Sequence, residues 1–317
     1  MSSRVLITGA SGMLGRAVYA AFNAAGHNVK GTAFTRAEGD LVKIDLQDKK
    51  ALDELLKEFR PEIVVHCAAE RRPDVAEKDP EAARRLNVDL VETLSGLSRS
   101  PEHPFALLYI STDYVFDGQN PPSGGYTSKD PVNPTNEYAK TKEAGEQAVL
   151  AGLKAGGTGT VLRVPVLYGD VKFNAESAIT ILLDVVLDVS KGDKEVKMDA
   201  WALRRPTNVA DVARVLVDIA DKSLSTTLPP ILSFSAQPHF TKYKICQLFA
   251  EIYPSATFLD ISKLIPVTEG PKEGETIRPR DCWLSNAELE ELGIDTSATD
   301  FVQWTKQWLM SKREQGV

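Results

Sequence analysis

The spacing of apolar and polar positions divides this chain into two unlike stretches. As far as residue 169, short β-rich runs alternate with helix-period segments, a pattern that predicts a parallel sheet with crossover helices. The runs 4–8, 28–34, 41–44, 63–67, 105–111 and 160–164 read as strands, and 13–25, 48–59, 80–98 and 135–155 as the helices between them. Their ends are chemically marked. Gly26 follows the first helix and Pro61 the second, while Pro80 stands in the first turn of the third, where its missing N–H leaves nothing unsatisfied.

After Gly169 the pattern loosens. Residues 177–189 and 208–220 read as helical, 192–203 as extended, and 231–235 as a strand able to rejoin the main sheet. From residue 241 onward short helices are expected, at 242–252, 286–292 and 301–312.

The bulk numbers narrow the classes. At 317 residues the chain can bury a large core, and 37 basic against 44 acidic side chains give a net charge of -7. That balance argues against an overall basic field for nucleic acid. No run approaches the roughly 18 apolar residues of a membrane span, and the first residues lead straight into a strand, so no targeting segment is expected. Cys67, Cys246 and Cys282 are too scattered for a disulfide framework or a zinc site. A cytoplasmic protein without metal is the expectation.

Candidate chemistry starts in the first β-turn-α unit. Gly9, Gly12 and Gly15 fall between a predicted strand and a predicted helix, in the run Val5-Leu6-Ile7-Thr8-Gly9-Ala10-Ser11-Gly12-Met13-Leu14-Gly15. Glycine there permits a tight turn and close approach of backbone to a pyrophosphate, which the helix N-terminus then faces. The expected fold is therefore α/β: a Rossmann-type doubly wound parallel sheet with a smaller, discontinuous C-terminal α/β lobe. Residues 1–169 would form the dinucleotide domain with 205–236 returning to it, and 170–204 with 237–317 the substrate or partner lobe.

Expected cofactor contacts are Thr8, Gly9, Ser11, Gly12, Met13, Leu14 and Gly15 in the turn. Asp45 and Leu46 would lie by the adenine, Cys67, Ala68 and Ala69 after the fourth strand, and Arg163 and Pro165 at the sixth. The end of strand two reads Ala33-Phe34-Thr35-Arg36, without the acid that usually holds an NAD ribose. A guanidinium and a hydroxyl suit a 2′-phosphate, with Arg16 as a second charge, so NADP(H) is expected over NAD(H). The alternative for both arginines is a solvated surface.

Tyr138 and Lys142 are four apart on a predicted helix and so share a face. The ammonium should lower the phenol's pKa, Lys142 should also hold the nicotinamide ribose, and Thr112 should anchor a substrate oxygen.

Three segments carry a family resemblance: Ser111-Thr112-Asp113-Tyr114-Val115-Phe116-Asp117-Gly118, the run from Tyr138 to Glu146, and Arg278-Pro279-Arg280. They resemble the extended short-chain dehydrogenases/reductases of the dTDP-4-dehydrorhamnose reductase-like branch, over almost the full chain. The run from Val65 to Val75 and that from Leu162 to Gly169 are most similar to the regulatory β subunits of methionine adenosyltransferase within it. Against the vertebrate type no N-terminal extension is expected, and the run from Trp308 to Val317 is expected to have no close match.

The resemblance implies an NADP(H)-binding regulatory subunit whose partner is the methionine adenosyltransferase catalytic subunit, supporting S-adenosylmethionine synthesis. The alternative is an NADPH-dependent reductase of a 4-keto-6-deoxy nucleotide sugar, with Tyr138 as acid, Lys142 as its electrostatic partner and Thr112 as oxygen anchor.

Other residues keep two readings. Glu70, Arg71 and Arg72 are an anion or partner loop, or a solvated turn. Arg204, Arg205 and Arg278 (with Arg280) bind a nucleotide-sugar diphosphate, or form interdomain salt bridges. Trp201 is a stacking wall or core. His66, inside a strand, is expected to be packed and hydrogen-bonded.

Overall fold

The computed structural model describes residues 2–253, 259–272 and 274–314. Its strands run β1 (Arg4–Thr8), β2 (Asn28–Ala33), β3 (Val42–Lys43), β4 (Ile63–His66), β5 (Ala106–Thr112) and β6 (Thr158–Val164). The short β7 (Leu167–Tyr168), β8 (Val196–Asp199) and β9 (Thr207–Asn208) follow, then β10 (Ile231–Ser233) and β11 (Leu264–Val267). Seven of these form one parallel sheet in the order β10-β6-β5-β4-β1-β2-β3, while β8 pairs with β11 and β7 with β9. Strand order reverses between β1 and β4, so a crevice opens beyond their carboxyl ends.

The helices are α1 (Met13–Ala24), α2 (Lys49–Phe59), α3 (Pro73–Lys78), α4 (Pro80–Arg84), α5 (Leu90–Leu97) and α6 (Glu137–Lys154). They continue with α7 (Ile181–Lys191), α8 (Val209–Ser223), α9 (Lys242–Ile252), α10 (Ala287–Glu291) and α11 (Phe301–Glu314).

The pleat sorts the core into two layers. Val5 and Ile7 of β1 point into the cluster that holds Val18 and Phe22 of α1 and Val212, Val215, Leu216 and Ile219 of α8. Leu6 points to the opposite cluster, with Leu52, Leu55 and Leu56 of α2, Leu90 and Leu94 of α5 and Val149 of α6. Burial on both faces explains why the strands read as continuous apolar runs. A third cluster joins α7, β8, α9, β11 and α11 through Leu183, Val186, Met198, Phe249, Leu264 and Leu309. The chemistry of single residues sets several ends. Asp48 caps α2 by accepting from Lys50 N and Ala51 N, and Arg60, at φ 51°, turns the chain out of it before Pro61.

The structure departs from the pattern-based reading in several places. The single helix expected over 80–98 is α4, then a π-helical turn over Arg85–Asp89, then α5. The wider turn carries the fully buried Asn87, whose amide accepts from Glu70 N and donates to Glu70 O, both at 2.9 Å, and donates to Thr141 Oγ1 at 3.0 Å. Residues 264–267, to which the pattern assigned no element, form β11, because β8 offers a parallel partner. The stretch 192–203 is a strand only at Val196–Asp199. Of the chain's ending, residues 315–317 lie outside the described residues.

Candidate functional site

A cleft of about 550 Å³ lies along the carboxyl ends of β1, β2, β4, β5 and β6. Glycine shapes its base. Gly9 has φ +66°, and a Cβ there would fall 2.8 Å from Ala68 N; a Cβ on Gly15 would fall 2.2 Å from Gly9 O. Any side chain at either position would force the turn away from β4 or from α1. Gly12 is the N-cap of α1 and provides no side-chain cap, so the first-turn N–H groups keep their capacity for an anion. A pyrophosphate fits this cradle.

Most of the residues expected to contact a cofactor line this one cleft. Gly9, Ser11, Gly12, Met13, Leu14 and Gly15 form its base, and Thr35, Arg36, Asp45 and Leu46 one end. Cys67, Ala68, Ala69 and Pro165 face the middle; Thr112, Tyr138 and Lys142 lie at the other end. Thr112 caps the turn after β5: its Oγ1 donates to Asp113 Oδ1 at 3.1 Å and accepts from Tyr114 N at 3.2 Å. Tyr138 meets Tyr114 edge to face, with centroids 6.3 Å apart. Asn136 starts α6 by accepting from Ala139 N, which sets the rotation that brings Tyr138 and Lys142 to the cleft.

Burial dominates the electrostatics of that end. It drives the Lys142 ammonium down to about 7, although Glu146 opposes the fall. Lys142 Nζ donates to Ile110 O at 2.7 Å and lies 4.1 Å from the centroid of Tyr109. Burial also pushes the Tyr138 phenol well above its ordinary value, against a hydrogen bond with Thr112. The expectation that Lys142 would lower the phenol is therefore corrected: burial raises it, and the Thr112 hydrogen bond and the Arg71 charge, not Lys142, oppose the rise. Asp113 is lifted by burial to about 7, with Arg204 opposing. His66 is held neutral: burial, then Lys142, takes it down to about 3.

Several expected residues lie elsewhere. Thr8 sits beneath the turn, with its hydroxyl 2.8 Å from His66 Nδ1 and accepting from Ala68 N. Arg163, expected as a cofactor contact, does not line the cleft. It is 2% exposed, donates to both oxygens of Glu146 at 2.9 and 2.7 Å, and is spent inside the protein. Arg16 is committed to Glu176 and to the carbonyls of Ser11 and Asp170. Glu70 and Arg72 pair with each other beside the cleft, and Arg205 pairs with Asp281 at 3.3 Å and stacks on Trp283. Trp201 packs over Gly270 rather than on the cleft wall. Arg71, Arg204 and Arg278 do line the cleft, the last also paired with Asp74.

Among the wall residues to which the sequence reading gave no role are Asp113, Tyr114, Glu176 and Lys242. The first two directly follow Thr112 at the end of β5, a position that could have pointed to them. Glu176 and Lys242 carry no local signal. Among the described residues no His, Cys, Asp or Glu cluster has a metal-binding arrangement, and no helix is long and apolar enough to cross a membrane.

The sequence model of the RmlD substrate binding domain family matches residues 3–309. Methionine adenosyltransferase 2 subunit beta of Bos taurus is 42% identical over 292 residues, covering 92% of this chain and 83% of that protein. dTDP-4-keto-6-deoxy-D-glucose reductase of Streptomyces niveus is 30% identical over 305 residues, covering 96% and 95%. The crystal structure of dTDP-4-dehydrorhamnose reductase from Bacillus anthracis in complex with NADP superposes with a TM-score of 0.75 at 23% identity, covering 98% of this chain and 99% of that one.

Proposed function

The chain belongs to the RmlD substrate binding domain family, and from that premise we propose that it is an NADP(H)-binding, reductase-like regulatory subunit of methionine adenosyltransferase. One observation carries the reading: the relatives at 42% identity, which cover 92% of this chain, are β subunits of that enzyme. In this role the protein associates with the catalytic subunit in the cytoplasm and supports S-adenosylmethionine synthesis. Residues 1–169 with 205–236 hold the dinucleotide, and 170–204 with 237–317 make the smaller lobe.

The cleft supports the cofactor assignment. The α1 N-terminus and the glycine turn suit the pyrophosphate, Thr35 and Arg36 a 2′-phosphate, and Lys142 the nicotinamide ribose. Bound there, the nicotinamide supplies or accepts a hydride. What the chain adds is positioning: Thr112 and Tyr138 are hydrogen-bonded to each other at one end of the cleft, and the phenol, kept protonated by burial, is a proton donor.

A second reading has its own support. The dTDP-4-keto-6-deoxy-D-glucose reductase of Streptomyces niveus is 30% identical over 96% of the chain, and this chain retains the Thr112, Tyr138 and Lys142 set. The alternative activity is thus NADPH-dependent reduction of a 4-keto-6-deoxy nucleotide sugar. Mixing the purified protein with a methionine adenosyltransferase catalytic subunit on a sizing column, and separately with NADPH and dTDP-4-keto-6-deoxyhexose, tests both. A stable complex and a flat 340 nm trace (the reduced-nicotinamide absorbance) are expected. Rapid NADPH oxidation without complex formation would reverse the order.

A further inference from the structure

Arg16 and Arg36 approach the adenosine end of the cleft from α1 and from the turn after β2, and one carboxylate holds both. Glu176, in the 3-10 turn Asn174–Glu176, accepts from Arg16 Nη1 at 3.0 Å, Arg16 Nη2 at 2.7 Å and Arg36 Nη1 at 3.1 Å. The Lys172 backbone N–H donates to its Oε2 at 2.8 Å. Glu176 is only 4% exposed, yet it stands on the cleft wall with Thr35 and Arg36. Burial would raise its pKa, but Arg16, the Lys172 N–H and Arg36 hold it below the usual carboxylate value, so it is charged at neutral pH.

A guanidinium grips carboxylate and phosphate through the same fork of donors. Arg16 has no fork left, since its remaining bonds go to the Ser11 and Asp170 carbonyls. Arg36 is the half-exposed member of the trio and donates to Glu176 through Nη1. A 2′-phosphate arriving there meets a cation already shared with a fixed negative charge.

We propose that Glu176 is a specificity-determining residue: an internal carboxylate that competes with the 2′-phosphate for Arg36 and so lowers the preference for NADP(H) over NAD(H). The inference rests on the dinucleotide reading above. NAD(H) has no 2′-phosphate and leaves the ion-paired trio as it is. Discrimination is a difference between two affinities, and a charge near one ligand's extra phosphate acts on that ligand alone.

Calorimetry with NADPH, NADH and 2′,5′-ADP on the wild-type chain and on Glu176→Gln tests it. Glutamine keeps the length and the acceptor oxygen but removes the charge. NADPH and 2′,5′-ADP are expected to bind about tenfold more tightly, with NADH changed less than about twofold. Unaltered NADH binding also certifies the variant's fold, and Glu176→Ser serves as a second uncharged variant if glutamine impairs folding. An unchanged or reduced NADPH:NADH ratio in both would overturn the proposal, since Glu176 would then only tether its loop. Glu176→Asp retains the charge and should keep the wild-type ratio; a gain equal to that of glutamine would also refute the charge argument. If the wild-type chain binds none of the three ligands, the dinucleotide reading itself fails, and this inference with it.

Discussion

Lys142 and Glu146 are one turn apart on α6, both almost fully buried, and the protein treats them in opposite ways. Glu146 is saturated: Arg163 binds both its oxygens and Ser111 Oγ donates to Oε1 at 2.5 Å. Lys142 has a carbonyl and an aromatic face but no carboxylate in contact, and its pKa falls to about 7. The deeper turn is a closed structural pair. The turn nearer the cleft carries a charge that the protein alone does not balance. A buried charge left under-compensated at a cleft wall is a signature of a site that expects a ligand.

Breaking the closed pair should have the largest effect. Glu146→Leu leaves the Arg163 guanidinium buried without a counter-charge, a loss of about 3–5 kcal/mol in stability. Combining it with Arg163→Met should restore most of that loss, because an apolar pair of similar volume replaces the ions. Urea unfolding measures both; a single variant as stable as wild type would erase the contrast between the two turns.

Removing Lys142 should act in the opposite direction and more weakly. Lys142→Met is expected to raise stability by about 1 kcal/mol near pH 6 while impairing dinucleotide binding. The sign follows from proton linkage. The folded pKa is below the unfolded one, so the unfolded chain holds more protons between about 7 and 10.5, and wild-type stability rises with pH across that window. The advantage of the variant should therefore shrink between pH 7 and pH 10 in thermal melts. A gap that widens there would contradict the assignment.

Asp113 should produce the smallest effect. Its folded pKa of about 7 exceeds the ordinary 3.8, so the folded chain holds the extra proton and stability declines as pH rises from about 4 to 7. Asp113→Asn should flatten that part of the profile. A variant whose slope matches wild type would place the titration on another group.

The same contrast explains what could be read in advance. The glycine turn and the Tyr138–Lys142 spacing were visible because they are local: a strand, a tight turn and one helix face fix their geometry. The surroundings of Arg163 were not legible, for the complementary reason. This residue lies two residues before Pro165, at the end of a strand whose neighbours do face the cleft, yet the pleat turns it inward to Glu146. Asn87 was hidden by a π turn that helix periodicity does not encode.

The amino-acid order alone determined the alternation of strands and helices, the glycine-rich turn and the presence of a hydroxyl, phenol and ammonium set, since each depends on contacts within a few residues. Only the folded molecule decided which charges are paired and which way each titrates. Arg36 meets a carboxylate 140 residues further along the chain, and the ionisation of Lys142, Tyr138 and Asp113 is set by the water that the surrounding layers exclude. Solvent exclusion and long-range pairing are properties of the whole packing, and no local pattern carries them.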